Sequence, residues 1–85
     1  MKELLFETQG TCSKAIRIAL SDENIVEDVM FMGGCNGNTK GIASLVRGMK
    51  AEDVVARLRG ITCGFKNTSC PDQLSRALEQ MTANN

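Results

Sequence analysis

Four cysteines, Cys12, Cys35, Cys63 and Cys70, are the side chains of this sequence best suited to chemistry. There is no His and no Tyr, so neither a Cys–His nor a Ser–His nucleophile pair can form. Any reaction has to run through a thiol or through a metal that thiols hold. Four thiolates suit a tetrahedral ion, zinc ahead of iron. The gaps between them are 22, 27 and six residues, so the knuckle of two to four residues common in structural zinc sites is missing. Placement favours a functional or metal role instead. Each cysteine falls at a boundary between expected elements, and none lies in an apolar stripe. Cys35 and Cys70 each open a helix, where free N–H groups and partial positive charge favour thiolate over thiol. A different chemistry available to the same residues is thiol redox, with Cys70 attacking and Cys63 resolving.

A second candidate is the glycine-rich run Gly33-Gly34-Cys35-Asn36-Gly37-Asn38-Thr39-Lys40-Gly41. Glycines let a backbone approach a ligand, and a helix N-terminus offers amides to a phosphate. Gly33, Gly34, Asn36, Gly37, Asn38 and Lys40 would bind it, with Arg47 and Lys66 as further cations. The run matches neither the P-loop nor the dinucleotide glycine pattern. A tight strand-to-helix turn capped by Asn36 or Asn38 accounts for it equally simply. Nucleic acid is disfavoured as a partner, because the only aromatic residues are Phe6, Phe31 and Phe65. Isolated acids such as Asp72 read as first-turn helix residues that complement the dipole.

The elements that must position these groups are legible from periodicity. Leu4, Phe6 and Thr8 alternate with charged neighbours, Ile16, Ile18 and Leu20 with Arg17 and Ala19, and Ile25, Val29 and Phe31 share one parity. Turn signals at Gly10–Ser13 and Ser21–Asn24 separate three short strands and favour an antiparallel meander. The period then changes. Ile42, Leu45, Val46 and Met49 make one helical stripe, Val54, Leu58 and Ile61 a second that stops at Gly60, and Leu74, Ala77, Leu78 and Met81 a third opened by Pro71. Strands followed by helices predict an α+β fold, a three-stranded antiparallel sheet covered on one face by three helices. The other face would carry Glu3, Leu5, Glu7, Arg17 and Asp28, and with an exposed strand edge it offers a homodimer contact. Met30, Met32 and Met49 read as core filler.

Eighty-five residues make one domain, 1–85, with a core of about 3–81. Charged residues at 24% and hydrophobic ones at 42% exclude intrinsic disorder. Ten basic and ten acidic residues exclude a polybasic arm for nucleic acid or membrane. The charge is uneven nonetheless: residues 1–31 are net −3 and residues 40–66 net +4, which a solvated helix face explains. No apolar run approaches the ~20 residues of a membrane span, and glutamates interrupt the N-terminus where an export signal would be apolar. A cytoplasmic protein with reduced thiols is expected.

The cysteine-bearing segments also carry a resemblance. Thr68-Ser69-Cys70-Pro71-Asp72 spells the motif that gives the TSCPD domain its name. Gly10-Thr11-Cys12-Ser13, Phe31-Met32-Gly33-Gly34-Cys35 and Gly60-Ile61-Thr62-Cys63-Gly64 match the rest of that pattern in order, so the chain resembles the stand-alone, four-cysteine branch from about Gly10 to Leu78. The same domain ends many adenosylcobalamin-dependent ribonucleotide reductases, and stand-alone relatives inherit the label ribonucleoside-diphosphate reductase. Eighty-five residues cannot enclose a nucleotide together with a cobalamin, and no cobalamin is expected on this chain. The resemblance therefore implies an accessory role around a nucleotide or a reductase partner, with the four cysteines as its characteristic site.

Overall fold

The structure is a computed structural model that describes residues 1–11, 13–33, 36–62 and 64–83, apart from the side chains of Asn36 and Asn38. Its elements are β1 (Lys2–Glu7), β2 (Ser13–Leu20), β3 (Val26–Gly33), α1 (Asn36–Val46), α2 (Ala51–Leu58) and α3 (Cys70–Ala83). The strands form one antiparallel sheet in the order β1-β2-β3, and the fold is α+β as expected. No helix among the described residues is long and apolar enough to cross a membrane.

Alternation decides which side chains meet the helices. Leu4 opposes Ile18 and Phe6 opposes Ile16, which in turn opposes Phe31. Ile16, Ile18, Leu20, Leu74 and Leu78 lose all contact with solvent. Each such side chain contributes about 1.5–3 kcal/mol relative to leaving it in water. Val26, Val29, Ala43, Val46, Ala51, Val54 and Ala77 complete the buried cluster, with Met49 and Met81 packed against it.

Four expectations of the sequence need correction. In β3 the inward residues are Val26 and Val29, not Ile25 and Val29. The register shifts between Ala19 and Leu20, so Glu27 is an inserted residue that reverses the parity of everything before it. In α1 the buried positions are Thr39, Ala43 and Val46, with Ile42 half-buried, whereas Leu45 is 74% exposed. The helical template is right, but it begins three residues earlier and uses two small residues. The helix ends at Val46, and Gly48, at φ +87, turns the chain so that Met49 packs from outside it. Ile61 likewise lies beyond α2 and is 42% exposed. Finally, Met30 and Met32 are not core filler: they are 52% and 38% exposed on the sheet face opposite the helices, together with Leu5.

The helices run back and forth along the sheet. The segment after α1 is hydrogen-bonded to the start of β3, through Gly48 N–H to the Val26 carbonyl and Val26 N–H to the Met49 carbonyl. The Ala51 N–H bonds the Asn24 carbonyl, so α2 starts at that same end of the sheet. α2 then returns toward the opposite end, where α1 and α3 both begin. The end of β1, the start of β2 and the end of β3 also lie there, as antiparallel pairing requires.

Candidate functional site

At that end the motif Thr68-Ser69-Cys70-Pro71-Asp72 builds a polar lock, and nearly every letter has a physical task. Ser69 caps α3: its Oγ accepts the Asp72 N–H at 3.2 Å and donates to the Ile61 carbonyl at 2.7 Å. Pro71 lies in the first turn, where a missing N–H costs nothing. Asp72 is 2% exposed. Its Oδ1 accepts the Gly60 N–H at 2.8 Å, and its Oδ2 accepts the Thr68 hydroxyl and the Arg76 Nε–H, the latter at 2.9 Å. Burial alone would push this carboxyl up. The Thr68 hydroxyl, the Gly60 N–H and the Arg76 guanidinium outweigh that and hold it below the usual Asp value.

Gln73 ties the lock to the β1–β2 turn. Its Nε2 donates to Thr68 Oγ1 at 3.0 Å, and its Oε1 accepts the Gln9 N–H at 3.2 Å. Gly10 sits at φ +76, and a Cβ there would stand 3.0 Å from the Thr68 methyl. A left-handed conformation and a close approach thus both require glycine. Among the described residues no buried side-chain nitrogen or oxygen lacks a hydrogen-bond partner.

Cys70 is the letter the lock does not consume. It is half-buried at the first position of α3, and its Sγ lies 3.2 Å from Ser13 Oγ. Ser13 is also held by the Thr11 hydroxyl at 3.0 Å and pairs with Gly33 across β2 and β3. Cys12, Cys35 and Cys63 lie outside the described residues, as does Gly34. Among the described residues no group of three metal-ligating side chains gathers. The flanks of the cysteines are nevertheless joined: Ser13 touches Cys70 and faces Gly33, and Ser69 holds Ile61.

The glycine-rich run divides differently. Gly33, at φ +83, closes β3, while Asn36, Gly37, Asn38 and Lys40 already belong to α1. Nothing lies within 4 Å of a Cβ built at Gly37 or Gly41, so packing does not demand glycine at either. Lys40 lines a groove of about 300 Å³ between α1 and β3, whose other cation, Arg47, bonds Asp28 at 3.1 Å. Lys66 is exposed in the loop before α3.

The sequence reading of Asp72 as an isolated first-turn acid places it correctly on α3 but misses its burial and the roles of Thr68, Ser69 and Gln73 around it. The signal was available in Ser69-x-x-Asp72, the spacing of a helix cap with an acid at its third position.

Fold and site together define an open-faced α+β domain in which Ser13 meets Cys70 at one end of the sheet, beside the buried Asp72 carboxylate. The chain belongs to the TSCPD domain family, whose model matches residues 3–82. No curated protein and no solved structure matches it.

Proposed function

We propose that this TSCPD domain is a small accessory metal-binding module in which Cys12, Cys35, Cys63 and Cys70 hold one ion, zinc before iron. The observation that supports this reading is the contact of Ser13 with both Cys70 and the end of β3. Covalent geometry carries it further. Cys12 is one residue from Ser13, Cys35 two from Gly33 and Cys63 two from Ile61, so each is tethered within roughly 4–8 Å of chain to that corner. Four thiolates close a tetrahedral shell and leave no open position for water, so the ion would be structural. The Ser13 hydroxyl is suited to support such a shell by hydrogen-bonding a sulfur. Bound zinc contributes an apparent ~10–16 kcal/mol in small domains, more than a core of this size supplies.

The resemblance to a reductase C-terminal domain supports service to an enzyme of deoxyribonucleotide metabolism, with the nucleotide or the enzyme as partner. The test is metal content and free-thiol count on natively purified protein. About one equivalent of zinc or iron, with thiols that react only after denaturation, is the expected result. Metal-free protein with four reactive thiols overturns it. The thiol redox reading then takes its place, favoured by Cys70 at a helix start beside a hydroxyl.

A further inference from the structure

The sheet face turned away from the helices is ordered into rows by the strand register. Glu3, Ala19 and Asp28 oppose one another in the first row, Leu5, Arg17 and Met30 in the second, and Glu7, Ala15 and Met32 in the third. Leu5, Met30 and Met32 give the face its apolar surface. At Ala19 the face dips. A hollow of about 220 Å³ opens there, walled by Glu3 on one side, Asp28 on the other and Arg17 at one end. A second, of about 210 Å³, lies between Glu3, Leu5 and Arg17.

Arg17 itself is stranded. It is flanked by Leu5 and Met30 and makes no ion pair among the described residues; neither does Glu3. A guanidinium projecting beside an acid-walled hollow, one row away on the same strand, is a knob next to its own socket. Across a two-fold axis the same guanidinium can enter the hollow of a second molecule.

We infer that this face pairs with the same face of a second copy of the chain. A two-fold axis between the two sheets, crossing the strands midway between the rows of Ala19 and Arg17, sets each Arg17 over the partner's Ala19. There it lies between the partner's Glu3 and the partner's Asp28, a carboxylate whose Oδ1 also accepts Arg47 of its own chain at 3.1 Å. The contact is reciprocal, as an isologous interface must be. The charges also select the offset, because an axis through the row of Arg17 would stack the two guanidinium groups on each other. Three strands about 4.8 Å apart and roughly 20 Å long make a small patch, at the low end of specific interfaces. The dimer is therefore weak and reversible. It does not involve Cys70, which lies at the start of α3 against Ser13 and not on this face.

The test is sedimentation velocity on the full chain over a wide concentration range under reducing conditions. A dimer should appear with rising concentration and weaken with salt. Arg17→Glu and Glu3→Lys should each raise the dissociation constant at least tenfold, and the combined variant R17E/E3K should recover most of the loss. Both positions are exposed, and an unchanged circular dichroism melt verifies that the variants fold. Protein that stays monomeric throughout overturns the inference. So does a dimer that Arg17→Glu leaves intact, which would put the contact elsewhere, such as the free edge of β1.

Discussion

The Ser13 hydroxyl lies 3.2 Å from the Cys70 thiol although 57 positions separate them in the chain. One residue precedes Ser13 to reach Cys12, and Cys70 opens the last helix. The contact therefore joins the first cysteine-bearing turn to the last one, and it does so at the corner where β3 ends.

Asp72 makes acid stability the most direct check on the lock. Its carboxyl titrates lower in the folded protein than in the unfolded chain, so it binds its proton more readily after unfolding. Its contribution is full above the ordinary Asp value of about 3.9 and fades as pH falls below it toward the folded value. Asp72→Asn should destabilise the protein by about 2–3 kcal/mol at pH 7, since a buried charge-assisted network is broken. The gap between wild type and variant should narrow as the pH drops from 4 to 2. Urea unfolding at several pH values measures it, and a gap that widens in acid would contradict the assignment.

Ser69 does two jobs that different substitutions separate. Ser69→Ala removes both the cap on α3 and the bond to the Ile61 carbonyl, and should cost about 2 kcal/mol. Ser69→Thr keeps both and should stay within about 0.5 kcal/mol of wild type, whereas Ser69→Asp keeps the cap but loses the donor and should fall between. Thermal unfolding of the three variants gives the order.

The glycines split in the same way. Gly10→Ala meets the Thr68 methyl at a left-handed backbone position and should destabilise by about 1–2 kcal/mol. Gly41→Ala, inside α1 with open space around it, should stabilise by up to about 1 kcal/mol. If Gly41→Ala stabilises the domain yet weakens binding of a nucleotide, that glycine is present for the ligand's approach and not for the fold.

Much of this was legible in the sequence, and the exceptions have physical reasons. The β1 and β2 alternation and the α3 stripe came through because strong apolar contrast repeats there at one period. Val26 was hidden by an inserted residue, which no two-residue count can see. Leu45 outweighs Ala43 by size alone, yet it is Ala43 that is buried beside β3 and Leu45 that faces solvent. Met30 and Met32 were placed inside because a composition argument cannot tell the two faces of a sheet apart. Asp72 was read from its position on the helix, but its burial depends on Thr68, Gly60 and the loop between them, and local spacing does not reveal that. Cys12, Cys35 and Cys63 lie outside the described residues.

The Gln9–Gln73 hydrogen bond spans 64 positions and has a consequence for how the chain is made. The sheet is complete in sequence by Gly33, but Leu74, Ala77 and Leu78 arrive in the final quarter. Hairpins close in microseconds, whereas synthesis adds roughly 5–20 residues per second. On the ribosome the strand residues Ile16, Ile18 and Leu20 thus wait for seconds before Leu74 and Leu78 complete their cover. The corner where Ser13 meets Cys70 cannot form until α3 has been made.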